Sequence, residues 1–274
     1  MRLDHLPRDA DLRLVVSDMD GTLLDADGGI PDRFWELLAI MNERGIVFAP
    51  ASGRQLATLA AMFAPALAGM PLIAENGTLV VRDGVEVSSS VLEPNAWRAM
   101  VRATRAARDA GRNLGVVVCG KRAGYIERTD AAFVHACSPY YFDLDLVEDQ
   151  LAVDDDVIKM AVFDFEDAEA AAASFRAFSG AHQVVTSGHH WIDIMAAGAN
   201  KGTAVRALQA SLGVTREQTV AFGDFFNDAE MLAEAAWSFA TANAHPEIRE
   251  LARYDAPSHR DHGVIQVLEQ LLGL

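Results

Sequence analysis

The 274-residue sequence predicts an α/β protein whose parallel-sheet core is interrupted by an inserted α+β module. Three observations predict it. Over residues 13–74 short apolar runs alternate with helical patterns in the order β-α-β-α-β. From about residue 78 hairpin-like pairs and strand-helix-strand groups replace that rhythm, and from residue 191 it returns. Alternating strands and helices build a parallel sheet with right-handed crossovers, whereas hairpin-linked groups build a separate module. A rhythm that stops and resumes is one domain split by an insertion. The expected division is a core of 1–82 and 188–274 around a module at 83–187.

Residues 1–12 read as a loose leader. Residues 13–18 form the first strand, because Leu14-Val15-Val16 is an apolar run closed by polar residues. Pro31 stands where a helix favours proline, Phe34, Leu37, Leu38 and Met41 recur at helical spacing, and Gly45 follows as a left-handed cap. Residues 46–49 are a second strand ending in Ser52-Gly53-Arg54, 56–63 a helix stopped by Pro65, and 71–74 a third strand ending in Glu75-Asn76-Gly77. Asp83-Gly84 between two apolar runs marks a hairpin turn. The module is expected to hold helices over 95–110 and 167–178 and strands at 114–118, 124–128, 157–163 and 183–186. Residues 129–154 carry no clear period. After the module come a strand at 191–195, a helix from Lys201 to Leu212 capped by Gly213, and a strand at 219–222 ending in Gly223-Asp224. A helix at 228–236, a strand at 237–241 and helices at 246–253 and 264–272 complete the chain.

The formal charge of −16 excludes a polyanion-binding surface, since nucleic acid and anionic membranes both require phosphate neutralisation by Lys and Arg. A phosphorylated small molecule would also be repelled unless a local cation offset the field. The two cysteines, Cys119 and Cys137, form no CxxC motif and read as partly buried free thiols. No apolar run approaches the ~18 residues of a membrane-spanning helix, and the charged residues 1–12 lack a signal-peptide core. The expectation is a cytoplasmic protein, monomeric by default, with a small-molecule partner.

Chemistry-bearing residues collect where apolar strands end. Asp18 and Asp20, followed by Gly21-Thr22, close the first strand. Side chains two apart on an extended chain point the same way, and open α/β sheets bind ligands beyond the carboxyl ends of their strands. The pair therefore reads as a hard-metal site with a carboxylate nucleophile, or as an ordinary Asp-Gly turn. Ser52-Gly53-Arg54 closes the second strand, Lys201 opens the helix after the module, and Gly223-Asp224-Phe225-Phe226-Asn227-Asp228 closes a later strand.

In this order and at these positions the four motifs resemble those of the haloacid dehalogenase superfamily, most closely the Cof-type branch with a large α/β cap inserted between the second and third motifs. Asn243-Ala244 and His262-Gly263-Val264 resemble late motifs of that branch. Phe225 stands where a small polar residue is common, which bears on pocket lining, and His262 where an acidic residue is frequent.

The resemblance implies a Rossmann-like core and a Mg2+-dependent phosphatase acting on small phosphorylated metabolites, sugar phosphates first. Asp18 would be the nucleophile and Asp20 the general acid and base, a distinction that comes from the family and not from the pair itself. Asp18, the backbone carbonyl of Asp20, and Asp224 would hold Mg2+. Ser52, Gly53, Lys201 and Asn227 would bind the phosphoryl group, with Asn227 alternatively on a metal-bound water. Asp228 would hold Lys201, and Thr22 would support the loop. Two rivals remain: a phosphomutase or phosphotransferase of the same superfamily, and a catalytically silent protein that binds phosphorylated ligands. Outside the motifs, Asn76 is expected to support the site or its turn, and Arg54 to sit in a surface salt bridge in preference to reaching the phosphate. The side chains of His189-His190 are expected to diverge on a strand, while Lys121, Arg122 and Tyr125 either read the leaving group or face solvent.

Overall fold

The computed structural model describes residues 11–186 and 189–274. Among them are fourteen strands: β1 (Leu14–Asp18), β2 (Val47–Ala51), β3 (Pro71–Ala74), β4 (Leu79–Arg82), β5 (Val85–Ser89), β6 (Leu114–Gly120), β7 (Gly124–Ile126), β8 (Leu144–Leu146), β9 (Val157–Asp164), β10 (His182–Thr186), β11 (Trp191–Ala196), β12 (Thr219–Gly223), β13 (Trp237–Thr241) and β14 (Tyr254–Ala256). Eight make one sheet in the order β14-β13-β12-β1-β2-β3-β4-β5, and six make a second in the order β10-β11-β9-β6-β7-β8. The chain divides accordingly into two units, one of residues up to Ser52, Phe63–Ser88 and Asn200–Leu274, the other of Gly53–Met62 and Ser89–Ala199.

In the first unit β1 lies between β2 and β12 and runs parallel to both. Every residue of β1 is buried, as expected for a central strand covered on two faces. Leu14 and Val16 point to one face, where they join Ala49, Ala51, Val205, Leu208 and Leu232. Phe48, which alternates with Ala49, belongs to the other face and meets Phe34 edge-on at 4.8 Å. The sheet becomes antiparallel only at β3–β4. Between β4 and β5, Asp83 and Gly84 both adopt positive φ, 51° and 74°, the conformation a two-residue hairpin turn demands.

The second unit is an antiparallel sheet, apart from the parallel β7–β8 pair, with helices on both faces. Trp97, Met100 and Val101 of the helix Pro94–Asp109 pack on Val116, Val118, Met160 and Val162. Phe133 and Cys137 pack on the opposite face with Val117, Cys119 and Ala161. A Cβ at Gly115 would stand 2.1 Å from the Phe133 ring, so glycine there makes room for the ring. Both cysteines are free and buried.

Several expectations are corrected. The strand at Trp191–Ala196 does not resume the parallel core: it pairs antiparallel with β9 and β10, and the first unit resumes only at Asn200. Alternation identifies a strand, but its neighbours are chosen by burial far away in sequence. The hairpin β4–β5 extends the first sheet, so the expected boundary at 82/83 moves to 88/89. Residues 53–62 group with the second unit. The helix expected over 167–178 is α-helical only over Ala168–Ala172 and continues as a 3-10 segment to Phe178. Within 129–154 lie the helix Ala131–Cys137, capped by Asp130 accepting from Phe133 N–H, and the short strand β8. Edge strand β14, three residues long, carries too little periodicity to announce itself. The first ten residues of the expected leader and the junction at 187/188 lie outside the described residues.

Candidate active site

The register of three parallel strands assembles the site within the first unit. Asp18 pairs with Ala51, so Ser52 lies one residue beyond it on β2. Ser17 pairs with Phe222, so Asp224 lies just past the end of β12. Three motif residues thus reach the carboxyl edge of the sheet, the usual ligand edge of an open α/β fold.

Beyond Asp18 the chain does not stay extended. Met19–Leu23 makes a wide turn in which Asp20 is extended (φ −76°, ψ 119°) and Gly21 left-handed, closed by the Leu24 N–H donating to the Met19 carbonyl at 2.9 Å. Asp18 ends the strand and is buried, whereas Asp20 lies in the turn beyond it and is exposed, near enough to Asp224 for its charge to raise that carboxyl. The reversal depends on Gly21, whose φ is 79° and whose Cβ, if present, would lie 2.4 Å from Asp224 Oδ2. Left-handed backbone and close approach both exclude a side chain there. Thr22 Oγ1 donates to Asp224 Oδ1 at 3.3 Å, so Thr22 supports the carboxylate as well as the turn.

Lys201 is the first residue of the helix Lys201–Leu212, whose N-terminus is fixed by a reciprocal capping box between Asn200 and Thr203. Its side chain is fully buried, and Nζ donates to Asp18 Oδ1 at 2.5 Å and to Asp228 Oδ1 at 2.6 Å. The other oxygen of Asp228 accepts the backbone N–H groups of Asp224 at 2.9 Å and Phe225 at 3.2 Å. Asp228 therefore holds both Lys201 and the loop that carries Asp224. Gly223 leaves space for it, since a Cβ there would be 2.5 Å from the Asp228 side chain.

Asp18, Asp224 and Asp228 each offer a carboxylate oxygen, and these lie within 4.8 Å of one another. One ammonium faces three carboxylates. Burial, and after it the Asp228 carboxylate, pushes the Asp18 carboxyl well above the ordinary carboxylate range against the opposing pull of Lys201. The same two causes push Asp224 up to about 7 from 3.8. Burial alone would lower Lys201, but Asp18 and Asp228 outweigh it and hold the ammonium above its ordinary value. The cluster carries an excess of negative charge, and a divalent cation fits that donor set. Asp228 has Lys201 on one oxygen and two backbone N–H groups on the other, whereas Asp224 takes only the longer contacts from Thr22 and Asn243, at 3.3 and 3.5 Å.

Residues 15–268 match the family of haloacid dehalogenase-like hydrolases. The chain belongs to that family. It is 30% identical over 267 residues to the 5-amino-6-(5-phospho-D-ribitylamino)uracil phosphatase YbjI of Escherichia coli, covering 95% of this chain and 96% of that protein. It is 28% identical over 240 residues to the HMP-PP phosphatase of Cronobacter sakazakii, covering 86% of each. Among solved structures, SMU.1108c from Streptococcus mutans superposes with a TM-score of 0.85 at 26% identity, over 96% of this chain and 100% of that one. This haloacid dehalogenase-like enzyme is a phosphomonoester hydrolase of the Cof-type branch.

The hydrolase also enlists residues outside its four motifs. Asn243, noted only as part of a late motif, donates through Nδ2 to the Gly21 carbonyl at 2.8 Å and reaches Asp224 Oδ2 at 3.5 Å. Asn76 accepts from Asn227 Nδ2 at 3.1 Å, and its own N–H donates to the Ser52 carbonyl at 2.9 Å. An asparagine just past a strand end was the available signal for each. Phe225 and Phe226 are about two-fifths exposed, meet at 5.2 Å, and Phe226 lies 4.4 Å from His245. Gly53 belongs to the second unit, where its carbonyl accepts from the buried Lys159 Nζ at 3.1 Å.

Other side chains singled out in the sequence serve the second unit. Arg54 donates to the Pro139 carbonyl at 2.8 Å and lies over the Tyr140 ring. Tyr125 donates to Asp155 at 2.9 Å, and Lys121 pairs with Asp156 at 3.4 Å. Arg122 and Tyr125 line an open pocket of about 660 Å³ together with Phe142, Asp143 and Asp145. His189 and His190 do not diverge: their rings stack at 4.7 Å just before β11 begins, because the chain is bent there instead of extended. Among the described residues no helix is long and apolar enough to cross a membrane.

Proposed function

We propose that the chain is a Mg2+-dependent phosphatase that hydrolyses phosphomonoesters of small metabolites, sugar and polyol phosphates first, through an aspartyl-phosphate on Asp18. The observation that carries this reading is the buried Asp18–Lys201–Asp228 array beside Asp224. Support for the substrate class comes from the Escherichia coli relative, whose name describes a phosphorylated ribityl compound.

A carboxylate oxygen of Asp18 bonds to phosphorus as the ester P–O bond breaks, and Asp20 gives its proton to the departing alkoxide. Asp20 then takes a proton from a water whose oxygen attacks the same phosphorus. The acyl-phosphate bond breaks, inorganic phosphate leaves, and Asp18 returns as a carboxylate. The solvent-facing position of Asp20 suits a group that must exchange protons with alcohol and water. Lys201 opposes the charge of Asp18 and then of the phosphoryl oxygens, while Ser52, Gly53 and Asn227 orient them. Asp18, Asp224 and the Asp20 carbonyl would hold Mg2+, and the chemistry it supplies when bound is positive charge that keeps Asp18 ionised and offsets the phosphoryl group.

A phosphate-release screen over sugar phosphates, polyol phosphates, nucleotides and phosphorylated cofactors tests the reading. Turnover without an added acceptor, abolished by chelator and restored by Mg2+, is the expected result. Release only when an acceptor alcohol is supplied would make the enzyme a phosphotransferase, and tight ligand binding without any release would make it a silent binder.

The electrostatics predict how metal binding depends on pH. Asp224 titrates at about 7 when folded against 3.8 ordinarily. The metal-free folded state thus binds the extra proton between those values, and its stability falls as pH rises through that window. A cation competes with that proton. Added Mg2+ should therefore raise Tm more at about pH 8 than at about pH 5.5. Equal shifts at both would remove Asp224 from the metal site.

A further inference from the structure

Three consecutive residues after β3 adopt left-handed backbone: Glu75 at φ 51°, Asn76 at 57° and Gly77 at 89°. Left-handed conformation is unfavourable for a non-glycine residue, and it persists where the surroundings over-determine it. Each residue of this turn is pinned. The Glu75 carbonyl accepts from Thr78 N–H at 3.2 Å and from Thr78 Oγ1 at 2.9 Å. Gly77 lies so close to the start of the Lys201 helix that a Cβ would be 2.4 Å from the Asn200 carbonyl and 2.9 Å from Lys201 N. Asn76 binds Ser52 through its backbone and Asn227 through its side chain. One strained turn therefore touches the segments that carry three phosphoryl-binding candidates, Ser52, Lys201 and Asn227.

We infer that Asn76 is a positioning residue, whose Oδ1 holds the Asn227 amide in its working orientation while the left-handed turn sets the Ser52 and Lys201 segments at their separations. The inference rests on the proposed phosphoryl-binding role of Asn227. Asparagine suits both tasks, because its short amide tolerates left-handed backbone and supplies the acceptor. Aspartate and glycine each meet one requirement cleanly: the first keeps an acceptor, the second keeps the conformation.

The test separates those requirements. Asn76→Gly relieves the backbone but removes the acceptor, and Asn76→Ala removes the acceptor and adds strain. Both should bind inorganic phosphate, in the presence of Mg2+, and turn over substrate about 10–100-fold less well, the usual cost of removing an outer-shell orienting partner. Only Asn76→Ala should melt lower. The double variant Asn76→Gly/Asn227→Ala should be no worse than Asn227→Ala alone, because one acts through the other. Parent-like affinity and turnover in Asn76→Gly, or losses that multiply in the double variant, overturn the inference. Absence of turnover in the parent would instead overturn the phosphatase reading, and calorimetric titration of inorganic phosphate would still decide the role of Asn76.

Discussion

Asp18→Asn lowers kcat by about 10⁴-fold or more, as removal of a nucleophile does in sites that act as a unit, yet the variant melts no lower than its parent. The two halves of this result have one cause. Asp18 is 6% exposed and shares its surroundings with two further carboxylates. Burial and Asp228 raise its carboxyl well above the ordinary value of 3.8. A raised carboxyl makes the folded state less stable at any pH above the unfolded value, because ionisation is costlier inside than outside. An amide of the same shape removes that cost and also removes the nucleophile. Steady-state phosphate release and a metal-free thermal melt measure both. Residual turnover within tenfold of the parent would transfer the nucleophilic role elsewhere, and a large drop in Tm would mean that Asp18 is structural.

Lys201→Met has the opposite signature, losing activity and stability together. The ammonium is wholly buried and bonds two carboxylates at 2.5 and 2.6 Å. Removing one partner of a buried ion pair costs about 3–5 kcal/mol, since the remaining charges stay desolvated. At about 2–4 °C per kcal/mol for a chain of this size, that is roughly 6–20 °C in Tm. The sign follows from the direction of the shift. Lys201 is held above its ordinary 10.5, so its contribution is fully present at neutral pH and fades only as pH rises past its folded value. In the variant Asp18 and Asp228 lose their counter-charge, and Asp18, already held well above the ordinary range, takes up a proton as pH falls, so stability should recover. Melting curves from about pH 5 to about pH 8 read this directly. An unchanged Tm across that range would show that the carboxylates do not depend on Lys201.

The order of strands around the site was legible because each carries its signal locally. Leu14 to Val16, residues 71–74 and residues 219–222 are short apolar runs closed by polar or glycine residues, and each proved to be a buried strand of the first sheet. Gly45 and Gly213 were readable as left-handed caps, and both have that φ. Strand Trp191–Ala196 was readable as a strand but not as a member of the second sheet, because alternation says nothing about which edge a strand joins. The left-handed turn at Glu75–Gly77 was also invisible, since a glutamate with positive φ contradicts its own local preference, and the turn is held by Thr78 on Glu75, Ser52 on Asn76 and the close approach of Asn200 to Gly77.

By itself the sequence determined the α/β class, the interruption of the core, and the residue types available for chemistry at each strand end. It could not say that Asp20 leaves the strand that Asp18 ends. That outcome depends on a wide turn closed between Met19 and Leu24, on Gly21 yielding space to Asp224, and on Thr22 and Asn243 fastening the two loops. Nor could it say that Asp18 shares one ammonium with Asp228, because Lys201 stands 183 positions from Asp18. Composition and periodicity act over about ten residues of chain. Desolvation and charge pairing act over a few ångströms of space, and only the folded chain decides which residues fall inside that distance.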